Sequence, residues 1–224
     1  MNLKSWNENI KKLRDIILKQ DKIEKSINMC LELHAMVHSC DMSDIDIKTF
    51  EDELWEGLDE NTFRMATNEK RRTIAYGIWH STRIEDITMN VLVSGDEQVF
   101  NVGNWKEKLN SKIIDTGNAL TEEQILKFSR DINMQELKNY RIAVGRKTRE
   151  IIKNLKPSDM KRKIEKNRLQ RVLDEGAVVN VESANWLIDF WGRKNVAGIL
   201  LMPAMRHHVV HINESLSAKI NCYN

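Results

Sequence analysis

The clearest chemical signal in the chain is its six histidines: His34 and His38, then His80, then His207, His208 and His211. Neutral imidazole nitrogens are good ligands for zinc and related divalent ions, and three protein ligands leave a position open for water or substrate. On an α-helix, residues i and i+4 lie about 40° apart and one turn along, so His207 and His211 can aim their rings at one point. A third histidine on a facing helix can join them there. His34 and His38 have the same spacing, whereas His208 stands about 100° round from His207 and cannot share its ion without distorting the helix. The alternative for each ring is a surface position, or a core position satisfied by its neighbours.

Other metal chemistries fail on spacing. Di-iron bundles need Glu-x-x-His, but the residues three before the histidines are Leu31, Ala35, Gly77, Ala204, Met205 and His208. Neither His-Glu-x-x-His nor His-Asp occurs. The cysteines at 30, 40 and 222 have no Cys-x-x-Cys spacing, and their odd number suits free thiols in a reducing compartment. Cys30, one turn before His34, reads as packing rather than as a nucleophile.

The elements that hold these rings must be helical. Among 224 residues there are only nine Gly and two Pro, with 30% charged and 41% hydrophobic residues, which excludes collagenous, low-complexity and many-turned β-sandwich chains. Ile23, Ile27, Cys30, Leu31, His34 and His38 recur at helical period in a run free of Gly and Pro from about Lys11 to Cys40, which predicts a first long helix. Residues 41–67 read as a connection with one short amphipathic helix. A second long helix, Asn68 to Ser94, carries Thr73, Tyr76, Gly77, His80, Ile84, Ile87 and Val91 on one stripe and stops at Gly95. Residues 96–118 form a crossover with a short helix near Trp105 to Leu109.

Capping patterns at Thr121/Gln124 and Asn133/Glu136 open a short helix and a third long one, Met134 to Leu155, closed by Pro157. Ala177 to Val181 is a strand or a buried loop, and Ser183 to Trp191 an aromatic helix. The last long helix, about Val196 to Ile220, contains Pro203, where it either begins or bends. On its wheel Met202, Met205, Val209, Ile212, Leu216 and Ile220 form the apolar stripe. His207 and His211 lie nearly opposite, toward a cleft beside the bundle or toward solvent. The expected architecture is all-α, a four-helix bundle with a long crossover, in one domain spanning residues 1–224.

Lys plus Arg is 35 and Asp plus Glu is 33, so a net charge of +2 provides no global field for a polyanion. Eleven basic residues against three acids between Arg146 and Arg171 form a solvated helical hairpin rather than a nucleic-acid patch, because no aromatics interleave to stack on bases. Met1 to Gln20 lacks the apolar run of a signal peptide or membrane span, so a cytoplasmic, membrane-free protein is expected. Trp186, Leu187, Phe190 and Trp191 suit a core or a homodimer interface.

The segments "IWHSTRIEDITMNVLV" and "MRHHVVHINE" resemble the DinB-like superfamily, which includes bacillithiol transferases and mycothiol-dependent enzymes. The resemblance implies a four-helix bundle with a long crossover and often a dimer. It also implies a divalent metal (Zn, Ni or Fe) held by His80, His207 and His211, and transfer of a low-molecular-weight thiol to a small electrophile, or hydrolysis. Many members continue the histidine pair with Arg-Gly-Gln, where this chain has Ile212, Asn213 and Glu214. His34 and His38 are candidates for a fourth ligand, a general base or substrate contacts, and Glu214 for orienting a ligand or accepting a proton. The competing class is a non-catalytic helical binding or stress-response module with a vestigial metal site.

Overall fold

Every residue from Thr73 to Val93 is buried in the computed structural model, which describes residues 1–223 and side chains as far as Cys222. This stretch is the central helix, Ile74–Asp86, continued by a wider π turn, Ile87–Ser94, and stopped at Gly95 with φ of 84°. It starts later than Asn68 because the Asn68 side chain accepts hydrogen bonds from Lys70 N and Arg72 N, holding a turn there. Thr73 then caps the helix by accepting from Tyr76 N. Met134–Asn154, His207–Tyr223 and Glu60–Met65 pack on its first part, and Met134–Asn154, Lys166–Asp174 and Val196–Leu201 on its second.

Helices are the regular structure of the described residues, which contain only the isolated bridges Thr67–Thr73 and Lys163–Asn195 and no strand. The expected first long helix is instead two, Leu3–Ile16 and Ile23–Ala35, which pack together with Trp6 Nε1 donating to Leu33 O at 3.0 Å. A continuous helix would leave the stripe of Trp6, Ile10, Leu13 and Ile17 without cover, and folding back buries all four. The second of these helices ends at Ala35 rather than Cys40, so His38 sits in a bend and not in a helix. The connection after it holds three short helices instead of one: Cys40–Ser43, Phe50–Trp55 and Glu60–Met65. The capping patterns at Thr121 and Asn133 open Glu122–Asp131 and Met134–Asn154 as expected. Ala177 and Val178 lie in a buried loop, with Ala177 O accepting from Thr116 N.

The last helix passes through Pro203 without stopping. Val196–Leu201 widens into a π turn, Met202–Arg206, and His207 N–H donates to Met202 O five residues back before His207–Tyr223 continues. The turn accommodates a proline that has no N–H and crowds the carbonyl of Ile199. Within the aromatic helix Glu182–Gly192, Leu187 and Trp191 are buried in the core while Trp186 is exposed. The basic run has an internal use: Arg168 donates to Leu92 O and Val93 O, Arg162 to Val93 O and Arg171 to Gly95 O, satisfying the carbonyls that end the central helix. No helix among the described residues is long and apolar enough to cross a membrane.

Two apolar cores flank the central helix. One gathers Ile74, Ala75, Ile78 and Trp79 with Phe100, Phe128 and Tyr140; the other gathers Ile84, Ile87 and Met89 with Trp6, Trp191 and Met205. The polar residues His80, Arg83, Glu85 and Asp86 lie at the seam between them, all buried. Arg83 is paired with Asp86 at 3.1 Å and also donates to Tyr140 Oη, Gln98 Oε1 and Ile114 O. Asp86 accepts from Val99 N and Phe100 N, so the pair anchors the crossover as well. Replacing Arg83 with Ala strands the Asp86 carboxylate in the core, and we expect a loss of about 3–5 kcal/mol in urea denaturation.

Candidate metal centre

His80 enters the centre from the middle of the central helix, and His207 and His211 from successive turns of the last one. The two helices approach closely at Gly77, where a Cβ would lie 3.1 Å from Ser215 Oγ and 4.0 Å from His211 Cβ. That approach brings the His80 ring centroid within 5.1 Å of His207 and 5.0 Å of His211, while His207 and His211 are 4.6 Å apart. One nitrogen from each ring lies within 4.8 Å of the other two. The sequence-based wheel placed the pair away from the core; His211 is in fact buried and only His207 keeps a part-exposed edge. The last helix is covered on two sides, by the apolar core at Val209 and Ile212 and by the central helix at His211 and Ser215. A wheel that counts only apolar residues cannot see the second side.

The nitrogens are arranged as a metal would require. His80 Nδ1 donates to Thr116 O at 2.7 Å, which leaves Nε2 with its lone pair toward the other rings. His211 Nδ1 lies 3.1 Å from Glu214 Oε2, a close approach without hydrogen-bond alignment, and the other Glu214 oxygen is held by Lys70 at 2.6 Å. His207 Nε2 and His211 Nε2 are 3.1 Å apart, and His207 Nδ1 is buried with no partner. Three neutral nitrogens facing one point fit a divalent ion such as zinc and leave at least one position free.

Burial, then the neighbouring His211, pushes His80 down to about 3. Burial also holds His207 well below its ordinary value, and lowers His211 against the opposing pull of Glu214. All three rings are therefore neutral near pH 7, the protonation state a metal ligand needs. Tyr76 stacks on His80 at 5.5 Å and donates to Gly117 O, walling the ring in. A cleft of 360 Å³ lined by Asn68, Glu69, Lys70, Asn213, Glu214 and Ser217 opens beside Glu214.

The remaining histidines form a separate group. His34, His38 and His208 surround Glu85, a residue that sequence spacing did not single out. No motif flagged it, because its partners come from two distant parts of the chain, residues 34–38 and His208. His34 and His38 are thus gathered on Glu85 rather than on the first centre. Cys30 is buried, and burial pushes its thiol up to about 12, in keeping with a packing role.

Glu214→Ala should weaken binding of a divalent ion about 10–100-fold in chelator competition, because His211 Nδ1 loses the carboxylate 3.1 Å from it. Acid should destabilise the metal-free chain. His38, His80 and His208 are held at about 3 in the fold against 6.5 for an unrestrained ring, so between these values the unfolded chain binds more protons. Stability is then full above pH 6.5 and falls as pH drops toward 3; a flat urea midpoint across that window would contradict the burial of these rings. In comparisons with protein-family models and with curated proteins, nothing matches the chain.

Proposed function

We propose that the chain is a divalent-metal-dependent enzyme of DinB-like architecture, acting on a small molecule at His80, His207 and His211. In this reading Ile23–Ala35, the central helix, Met134–Asn154 and the last helix are the four helices of the bundle, and residues 96–118 belong to its crossover. The observation that supports it most is the convergence of three neutral imidazoles, one of them fixed by Thr116 O and one with a part-exposed edge. Thiol transfer to an electrophile is the favoured reaction, by the resemblance of the two histidine segments; hydrolysis is the other chemistry that suits a three-histidine site.

A bound divalent ion supplies Lewis acidity, lowering the pKa of a water or thiol that reaches it. The chain's own residues prepare that event. Thr116 O fixes the tautomer of His80, and Tyr76 keeps its ring from turning. Contacts with His211 and Lys70 hold the Glu214 carboxyl at about 2, so it stays ionised and balances charge beside His211. A group that acidic is a poor general base near neutrality. Lys70 and Glu214 both line the adjoining cleft, which suits a polar or charged substrate.

The test is turnover by zinc-, nickel- and iron-loaded protein, with low-molecular-weight thiols plus a haloaromatic electrophile and, separately, with an activated ester. His207→Ala should remain folded and lose at least 100-fold in kcat/KM, an effect of the size seen when a principal electrostatic group is removed. Loaded protein that turns over neither class of substrate would point instead to a non-catalytic module.

A further inference from the structure

Glu85 has no counter-cation of its own. Its fully buried carboxylate is approached by three rings: His34 Nε2 lies 2.7 Å from Oε1, and His38 Nε2 and His208 Nε2 lie 3.0 and 2.8 Å from Oε2. The guanidinium beside the group, Arg141, is engaged elsewhere. It donates to Glu51 Oε2 at 2.6 Å, to Val37 O at 2.7 Å, to the hydroxyls of Ser81 and Thr82, and to His208 Nδ1 at 3.1 Å. Arginine only donates, so His208 Nδ1 must accept, and the proton of the neutral ring is then on Nε2, facing Glu85. With its proton on Nε2, His208 is not available as a ligand; that Nε2, 2.8 Å from Glu85 Oε2, is itself without hydrogen-bond alignment.

His34 and His38 are differently placed. Both Nδ1 atoms are buried without a hydrogen-bond partner, and so are His38 Nε2 and Glu85 Oε2 in spite of their 3.0 Å separation. Close approach without hydrogen-bond direction is what ligand atoms show when they point at a common centre instead of at each other. A single proton on His34 would neutralise Glu85 but leave His38 with neither nitrogen satisfied, an arrangement native interiors rarely tolerate. One nitrogen from each of the two histidines and one oxygen of Glu85 lie within 4.8 Å of one another. Donors of one ion with bonds of about 2.0–2.2 Å fall within such a spread. Charge points the same way: Arg141 cancels Glu51, and Glu85 leaves one negative charge in the interior for a cation to offset.

We propose that His34, His38 and Glu85 form a second metal centre, for a first-row divalent transition ion, separate from the three-histidine centre and with His208 packed against its carboxylate. Two imidazoles and one carboxylate suit iron, manganese or zinc in the divalent state. The two centres share no ligand, and they are joined through the consecutive residues His207 and His208.

The test uses Co²⁺ as the probe. Full-length chain is stripped, loaded and desalted, and bound cobalt is counted by elemental analysis and followed by its visible absorption. The wild type should retain about two equivalents, and His207→Ala and Glu85→Gln about one each, with different spectra. His38→Gln serves should Glu85→Gln not fold. Cobalt retained by His207→Ala, which alters a part-exposed ring, belongs to the second centre when adding Glu85→Gln or His38→Gln to that variant removes it. Wild type saturating at one equivalent that His207→Ala abolishes, or Glu85→Gln keeping both, overturns the proposal. One equivalent in wild type and in His207→Ala alike, lost in Glu85→Gln, supports the second centre and removes the first.

Discussion

A helix buried on every side cannot leave a charge unanswered, and the central helix carries Arg83, Glu85 and Asp86 within four consecutive residues, all dehydrated. Arg83 and Asp86 answer each other and are held from the crossover, while Glu85 is met from the two ends of the chain. Asp86 takes the backbone amides that open Val99–Val102, Arg83 grips Gln98 and the carbonyl of Ile114, and Glu85 collects imidazoles from residues 34, 38 and 208. The crossover therefore follows a course dictated by polar groups at the seam between two apolar cores. Hydrophobic burial supplies the stabilisation, while the seam selects among the ways of packing these helices.

That selection also places the candidate metal ligands. Fastening the crossover at Ile114 brings Thr116 O beside His80, and Gly77 lets the last helix come close enough for His211 to meet the same ring. From there the helical rotation of about 100° per residue sends His207 and His208 to different neighbours. Arg141 serves Glu51, the carbonyl of Val37 left free where its helix ends, and His208, so one guanidinium orients the surroundings of Glu85 from two sides. The first centre is part-exposed at His207; the Glu85 group is sealed. An open centre suits chemistry on a substrate, and a sealed one suits holding the fold together.

Much of the helical content was legible because it is local. Side-chain caps at Thr121 and Asn133 and the stop at Gly95 involve contacts a few residues apart, whereas the later start at Thr73 was not read from the sequence. The break between Ile16 and Ile23 was not legible, since no Gly or Pro marks it and only the need to cover Trp6 and its stripe requires it. The run of arginines from 162 to 171 looked like solvated surface for a similar reason: the carbonyls it satisfies belong to a helix some seventy residues earlier.

By itself the sequence determined a helical chain, and it determined that His207 and His211 share a direction, because both properties follow from the 3.6-residue period and from interactions within a turn. Tertiary structure alone decided that His80 meets that pair, that the last helix is covered on two sides, and that His34, His38 and His208 face a buried Glu85. The physical reason is range. A helix sets the direction of its side chains from neighbours three or four residues away, whereas a buried charge is satisfied by whichever donors the packing brings to it, however distant in the chain.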